Sequence, residues 1–151
     1  MKLFAKIRPY DINIEQPVSD LAGAFDFHIF NKPELNTFDE KNAAEFLNYP
    51  DVKLIKKIKL HTVTLEQILD DHLTKIGATH IDFLNIDVEG YDLKVLKSNN
   101  WIKYRPQFVL TENLFSTLKE SFESELTSYM TSVNYTMIAK TVNTIFFRRN
   151  E

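Results

Sequence analysis

Residues Ile81 to Glu89 read Ile-Asp-Phe-Leu-Asn-Ile-Asp-Val-Glu and run directly into Gly90 and Tyr91. Five of the first eight are large and apolar, the density of a strand covered on both faces. Such a strand belongs in an α/β sheet, where ligands lie beyond the carboxyl ends of the strands. Asp87 and Glu89 would then face a ligand crevice, and Gly90 beside them permits positive φ and close backbone approach. The same residues have a purely structural use, with Glu89 capping the next helix and Asp87 binding backbone amides around Gly90. Residue pattern alone leaves both readings open.

The rest of the chain reads as support for this edge. Residues 1–8 have helical spacing at Leu3, Phe4 and Ile7, stopped by Pro9. Residues 11–18 alternate Ile12 and Ile14 with Asn13 and Glu15, a strand pattern, and residues 24–31 repeat it with Phe25, Phe27 and Ile29. Thr37 with Glu40 predicts a capping box for a helix over 38–48, and Thr64 with Gln67 predicts one for the helix ended by Gly77. Between them, lysines from Lys53 to Lys59 interleave with Leu54, Ile55, Ile58 and Leu60, a strand with a solvated face. A short helix over 91–98 follows the central strand, and Trp101 is placed to cover the seam to the next one. That strand, 107–111, is introduced by Arg105-Pro106 and carries Glu112 at its end. Thr117 and Glu120 cap a last helix, and 135–139 with 144–148 form a closing antiparallel hairpin.

Composition narrows the function classes. The chain has 151 residues, 44% of them hydrophobic, which suits one soluble domain with a real core. No apolar run reaches the length of a membrane span and the first residues are no signal peptide, so the expected location is cytoplasmic, with no membrane partner. A net charge of -3 with scattered signs leaves no footprint for nucleic acid. The absence of cysteine excludes thiolate chemistry and cysteine zinc sites. Asp87, Glu89 and Glu112 have oxygens suited to magnesium, but no further ligand accompanies them and no metal site is assigned. The histidines at 28, 61, 72 and 80 lack metalloprotease spacing, and His28, His61 and His72 fall on the polar side of their elements.

The run Ile81 to Leu96 followed by Tyr104-Arg105-Pro106-Gln107-Phe108-Val109-Leu110-Thr111-Glu112 resembles the signature of the FkbM family of S-adenosylmethionine-dependent methyltransferases. The resemblance implies an α/β fold: a partial Rossmann-like class I methyltransferase sheet, mixed, ending in the antiparallel hairpin. It also implies a single domain over 1–151 that begins after the family's glycine-rich strand-loop. With only Gly23, Gly77 and Gly90 in the chain, no glycine-rich phosphate or nucleoside loop exists in it. By resemblance, Asp87, Glu89 and Glu112 are the catalytic candidates, and Ser19, Asp20, Asp87 and Gly90 the S-adenosylmethionine-binding ones. Ser19 and Asp20 also read simply as a turn leading to Gly23. Asn36, Thr37 and Phe38 fall where the family faces its acceptor.

Two functions follow from this reading. The first is methyl transfer to a hydroxyl of a small molecule or saccharide. The second is a non-catalytic remnant or interaction module that has lost cofactor binding. In the family fold the absent strands lie between the one near Ile14 and the one at Ile86. Their loss exposes hydrophobic edges, which either pair with each other or recruit a complementing chain or a second copy.

Overall fold

The computed structural model describes residues 2–113 and 117–151. Two compact units divide the chain, Met1–Ile76 and Gly77–Glu151.

The first unit is built on an antiparallel pair. Strand β1 (Gly23–Phe30) pairs with β2 (Leu54–Thr62), running from Gly23↔Thr62 to Phe30↔Leu54 with an irregularity at Ile29/Phe30. Helix α1 (Lys2–Ile7) precedes them. The strand expected at 11–18 is absent: its sole ladder contact is a parallel bridge between Val18 and Val63, and Ile12 and Ile14 remain exposed. Alternation supplies strand propensity, but a strand forms only against a partner, and among the described residues this segment joins no ladder beyond the Val18–Val63 bridge.

Helix α2 (Glu40–Phe46) forms where predicted, with a different cap. Asp39, not Thr37, accepts from Lys41 N at 2.8 Å and Asn42 N at 3.0 Å, while Thr37 Oγ1 accepts from Asp39 N at 3.0 Å. Both residue types cap helices, and Asp39 stands at the N-cap. Ala43 of α2 packs with Phe30 and Val52 into a small core that Leu35 and Phe46 extend. The next helix, α3 (Leu65–His72), has the predicted reciprocal capping box of Thr64 and Gln67. His28 departs from its expected surface position: it is 6% exposed, because it shares the face of β1 that carries Phe30.

The second unit holds a mixed sheet in the order β3-β4-β6-β5. Strands β3 (Phe83–Ile86) and β4 (Phe108–Glu112) are parallel and in register from Phe83↔Phe108 to Ile86↔Thr111. Strand β6 (Thr144–Arg149) runs antiparallel to β4 and to β5 (Tyr135–Lys140), so the closing hairpin joins the sheet through its second strand. One sheet face is sealed: Val109, Thr111, Ile145 and Phe147 are fully buried and Ile86 nearly so. The other is open at its edge, where Phe83 is 62% exposed, so the double-sided cover expected of 81–89 is not realised.

Short helices connect these strands. Helix α4 (Asp92–Lys97) follows β3 and buries Val95 and Leu96. Trp101 lies against this helix, its Nε1 donating to Leu96 O and to Tyr129 Oη, both at 3.0 Å, and its ring meets Tyr135 edge-on at 5.2 Å. The single last helix expected after Thr117 is two, α5 (Leu118–Glu123) and α6 (Glu125–Ser132). Ser124 adopts extended backbone between them and caps α6 through Thr127 N. The Thr117–Glu120 capping box that opens α5 is present.

Arg105 and Pro106 set the entry to β4. The Arg105 guanidinium donates to Trp101 O at 3.1 Å and Val133 O at 3.4 Å and lies over the Tyr135 ring. Tyr135 Oη donates to Pro106 O at 2.6 Å, and Arg149 donates to Arg105 O at 2.9 Å. Four chain segments are thereby tied at the amino end of β4, which sets the parallel register that begins with Gln107 N donating to Ile81 O.

Candidate functional site

The carboxyl ends of β3 and β4 are adjacent because the strands are parallel and in register. Ile86 opposite Thr111 places Asp87 and Glu112 one residue further along neighbouring strands. Asp87 and Glu89 are exposed, Glu112 half-buried.

Between β3 and α4 the chain reverses in a tight turn closed by Tyr91 N donating to Val88 O at 3.2 Å. Glu89 has φ +51° and Gly90 φ +87°, the φ signs of a type I′ turn at its two central positions. A glycine adopts this without cost, whereas a glutamate is strained by about 1–2 kcal/mol. The strain holds a carboxylate at the rim where asparagine or glycine would be the relaxed choice.

Asp92, absent from the sequence-based candidates, organises this corner. It is 4% exposed, and its Oδ1 accepts from Thr111 Oγ1 at 3.1 Å and Glu112 N at 3.2 Å. The carboxylate thus clamps the start of α4 to the end of β4 and fixes where Glu112 leaves the sheet. Burial raises its proton affinity, partly offset by Thr111 and by the amides of Glu112, Asp92 and Gly90. The available signal was its place in the first turn of a helix facing a strand end, but many exposed helix-capping acids share that pattern.

Glu112 has its proton affinity raised, first by burial and then by the charges of Asp87, Glu89 and Asp92. The carboxylates predicted to share a rim, together with Asp92, therefore lie within one another's field. Among the described residues no group of His, Cys, Asp or Glu has the geometry to hold a metal ion.

Ser19 and Asp20 lie in the first unit and the acidic rim in the second. Ser19 is buried, its amide donates to Val63 O at 3.0 Å, and its Oγ donates to Asp20 Oδ1 at 2.9 Å, leaving Asp20 exposed. Asn36 accepts from Phe30 N at 2.8 Å, and Thr37 pairs its backbone with His28, so both build the loop after β1. The predicted hydroxyl cap at Thr117 lies just past residues 114–116, which are outside the described residues.

Comparison with known proteins adds one positive finding. The family model of the methyltransferase FkbM domain matches residues 6–137, spanning most of both units. No curated protein and no solved structure matches the chain. The match includes the turn at Glu89-Gly90, the Arg105-Pro106 staple and the acidic end of β4 within one continuous span. By that match the chain belongs to the FkbM methyltransferase family.

Proposed function

We propose that the rim formed by Asp87, Glu89 and Glu112 aligns and deprotonates a hydroxyl of a small molecule or saccharide for methylation by S-adenosylmethionine. The observation that carries this reading is the in-register parallel pairing of Ile86 with Thr111, which sets Asp87 and Glu112 side by side at the strand ends, with burial first and then the charges of Asp87, Glu89 and Asp92 raising the proton affinity of Glu112. A carboxylate that binds a proton more tightly is a stronger general base, provided it remains ionised at the working pH.

When bound, S-adenosylmethionine supplies an electrophilic methyl group on a sulfonium centre, which departs as a neutral thioether. The donor set here suits the positively charged end of that molecule, because Asp87 and Glu89 are exposed acids beside a glycine that lets the backbone approach. For the nucleoside end the fit is incomplete, since the three glycines of the chain stand in separate segments and build no glycine-rich loop. Ser19 and Asp20 stay candidates for contact with the adenine by resemblance alone. On this reading Asp87 and Glu89 face the sulfonium and accept hydrogen bonds from the acceptor's other hydroxyls, Glu112 takes the proton of the reacting one, and Asp92 positions Glu112 without touching substrate. Orientation is the larger contribution, because in-line attack tolerates little misplacement of the acceptor.

A second reading is favoured by a different observation. The outer edge of β3 has no partner among the described strands, and Phe83 and Val88 beside it are exposed. Natural edges are usually shielded, so β3 suits an interaction module that takes up a strand from a complementing chain or a second copy.

The test is transfer of a labelled methyl group from S-adenosylmethionine to a panel of sugars and small alcohols, with calorimetry of cofactor binding alongside. The expected cofactor affinity for this chain alone is weaker than about millimolar, or under about 4 kcal/mol. Turnover at millimolar cofactor that falls at least about a hundredfold in Asp87→Asn, about 2.7 kcal/mol of barrier, supports the enzyme. Transfer unaffected by Asp87→Asn and Glu112→Gln sinks the assignment of the rim. Absence of both heat and transfer at that concentration favours the non-catalytic module.

A further inference from the structure

The first unit carries an open cleft with a largely apolar lining. It measures about 340 Å³ and lies between α2 and the β1–β2 pair, within the range of ligand pockets. Phe30, Ala43, Leu47 and Leu54 give it an apolar lining. At one wall stands His28, itself 6% exposed, so the accessible part of its ring faces the cleft.

The tautomer of His28 follows from its neighbour. Nδ1 lies 3.3 Å from Thr37 O; a carbonyl oxygen only accepts, so Nδ1 carries the proton of the neutral ring. Nε2 then presents a lone pair, and among the described residues nothing donates to it. The cross-strand neighbour of His28 is Lys57, whose ammonium is already held by Asp26 at 3.2 Å and Glu40 at 3.0 Å. With Lys59 on Asp26 at 3.1 Å, the charges around the cleft are mutually paired. An ionic ligand finds no unpaired counter-charge there, whereas a neutral one meets apolar walls and a single acceptor.

We propose that this cleft binds a neutral, largely apolar molecule that donates one hydroxyl hydrogen bond to His28 Nε2. Apolar contact with Phe30, Leu47 and Leu54 supplies affinity, and the Nε2 acceptor supplies discrimination, because an analogue lacking the hydroxyl takes Nε2 out of water without giving it a partner. The proposal stands on the first unit alone and does not depend on the methyltransferase reading of the rim.

The probes are p-cresol and toluene, nearly equal in shape and different in one hydroxyl, titrated into the full chain while imidazole nitrogen shifts are followed by NMR. The expected result is saturable binding of p-cresol that moves the His28 Nε2 resonance, with toluene at least about tenfold weaker, the ratio one hydrogen bond supplies. Ala44→Trp, at an exposed cleft-lining position of α2, is expected to abolish binding without disturbing the core, and His28→Phe to erase the preference for p-cresol. Equal binding of the two probes, no movement of His28, or unchanged binding in Ala44→Trp would overturn the proposal.

Discussion

At the scale of single residues, the rim is held against its own preferences. Glu89 occupies positive φ without being glycine or asparagine, so Glu89→Gly should stabilise the fold by about 1 kcal/mol, read as a higher urea midpoint, while removing a proposed acceptor-aligning group. A loss of stability in that variant would mean that the carboxylate has an energetic role within the fold. Glu112 yields a second test. Because Asp87 and Glu89 raise its proton affinity, Asp87→Asn should lower the carboxyl titration midpoint of Glu112 in a carbon-detected NMR titration. If Glu112 is the base, the acid limb of the transfer rate should move to lower pH with it. The linked effect on stability has a definite sign. A carboxyl whose folded proton affinity exceeds its unfolded one binds more protons when folded, so stability falls as pH rises through the raised value. Asp92 acts in the same direction, being raised by burial. Glu112→Gln should flatten that decline.

At the scale of elements, the local chemistry of helix starts was readable and the tie points between elements were not. Two of three predicted capping boxes, at Thr64 and Thr117, form as written. The third gives way to Asp39. Asp39→Ala is expected to cost about 1 kcal/mol and to fray α2 by circular dichroism. Thr37→Val should leave α2 formed, since the cap survives. The Arg105-Pro106 pair stood out in the sequence as part of a family signature, but its physical role appears only with Tyr135 and Arg149 beside it. Tyr135 is fully buried, and burial pushes its phenol up to about 12. Tyr135→Phe leaves Pro106 O without its donor and should cost about 1–3 kcal/mol, measured by denaturation, with the parallel start at Gln107 loosening first.

At the scale of the molecule, the two units differ in how their sheets are buried. The second seals Val109, Thr111, Ile145 and Phe147 completely, on the two central strands of its sheet. The first has a two-stranded sheet with most of β2 exposed. Isolated two-stranded sheets are marginal, so hydrogen exchange should be slowest at the amides of β4 and β6 and markedly faster across β1 and β2. Uniform protection over all four strands would contradict this ranking. Among the described residues no helix is long and apolar enough to cross a membrane.

Sequence by itself determined where most strands and helices lie and which acids end β3 and β4, because periodicity, capping residues and strand-end glycines act over a few neighbours; it did not show the break of the last helix at Ser124. It did not determine that residues 11–17 stay irregular, that His28 is buried, or that Asp92 clamps Glu112. Each of these depends on which partner is within reach in space. Pairing, burial and the mutual field of carboxylates are long-range quantities, and they are decided when strands choose their neighbours rather than when residues choose their backbone angles.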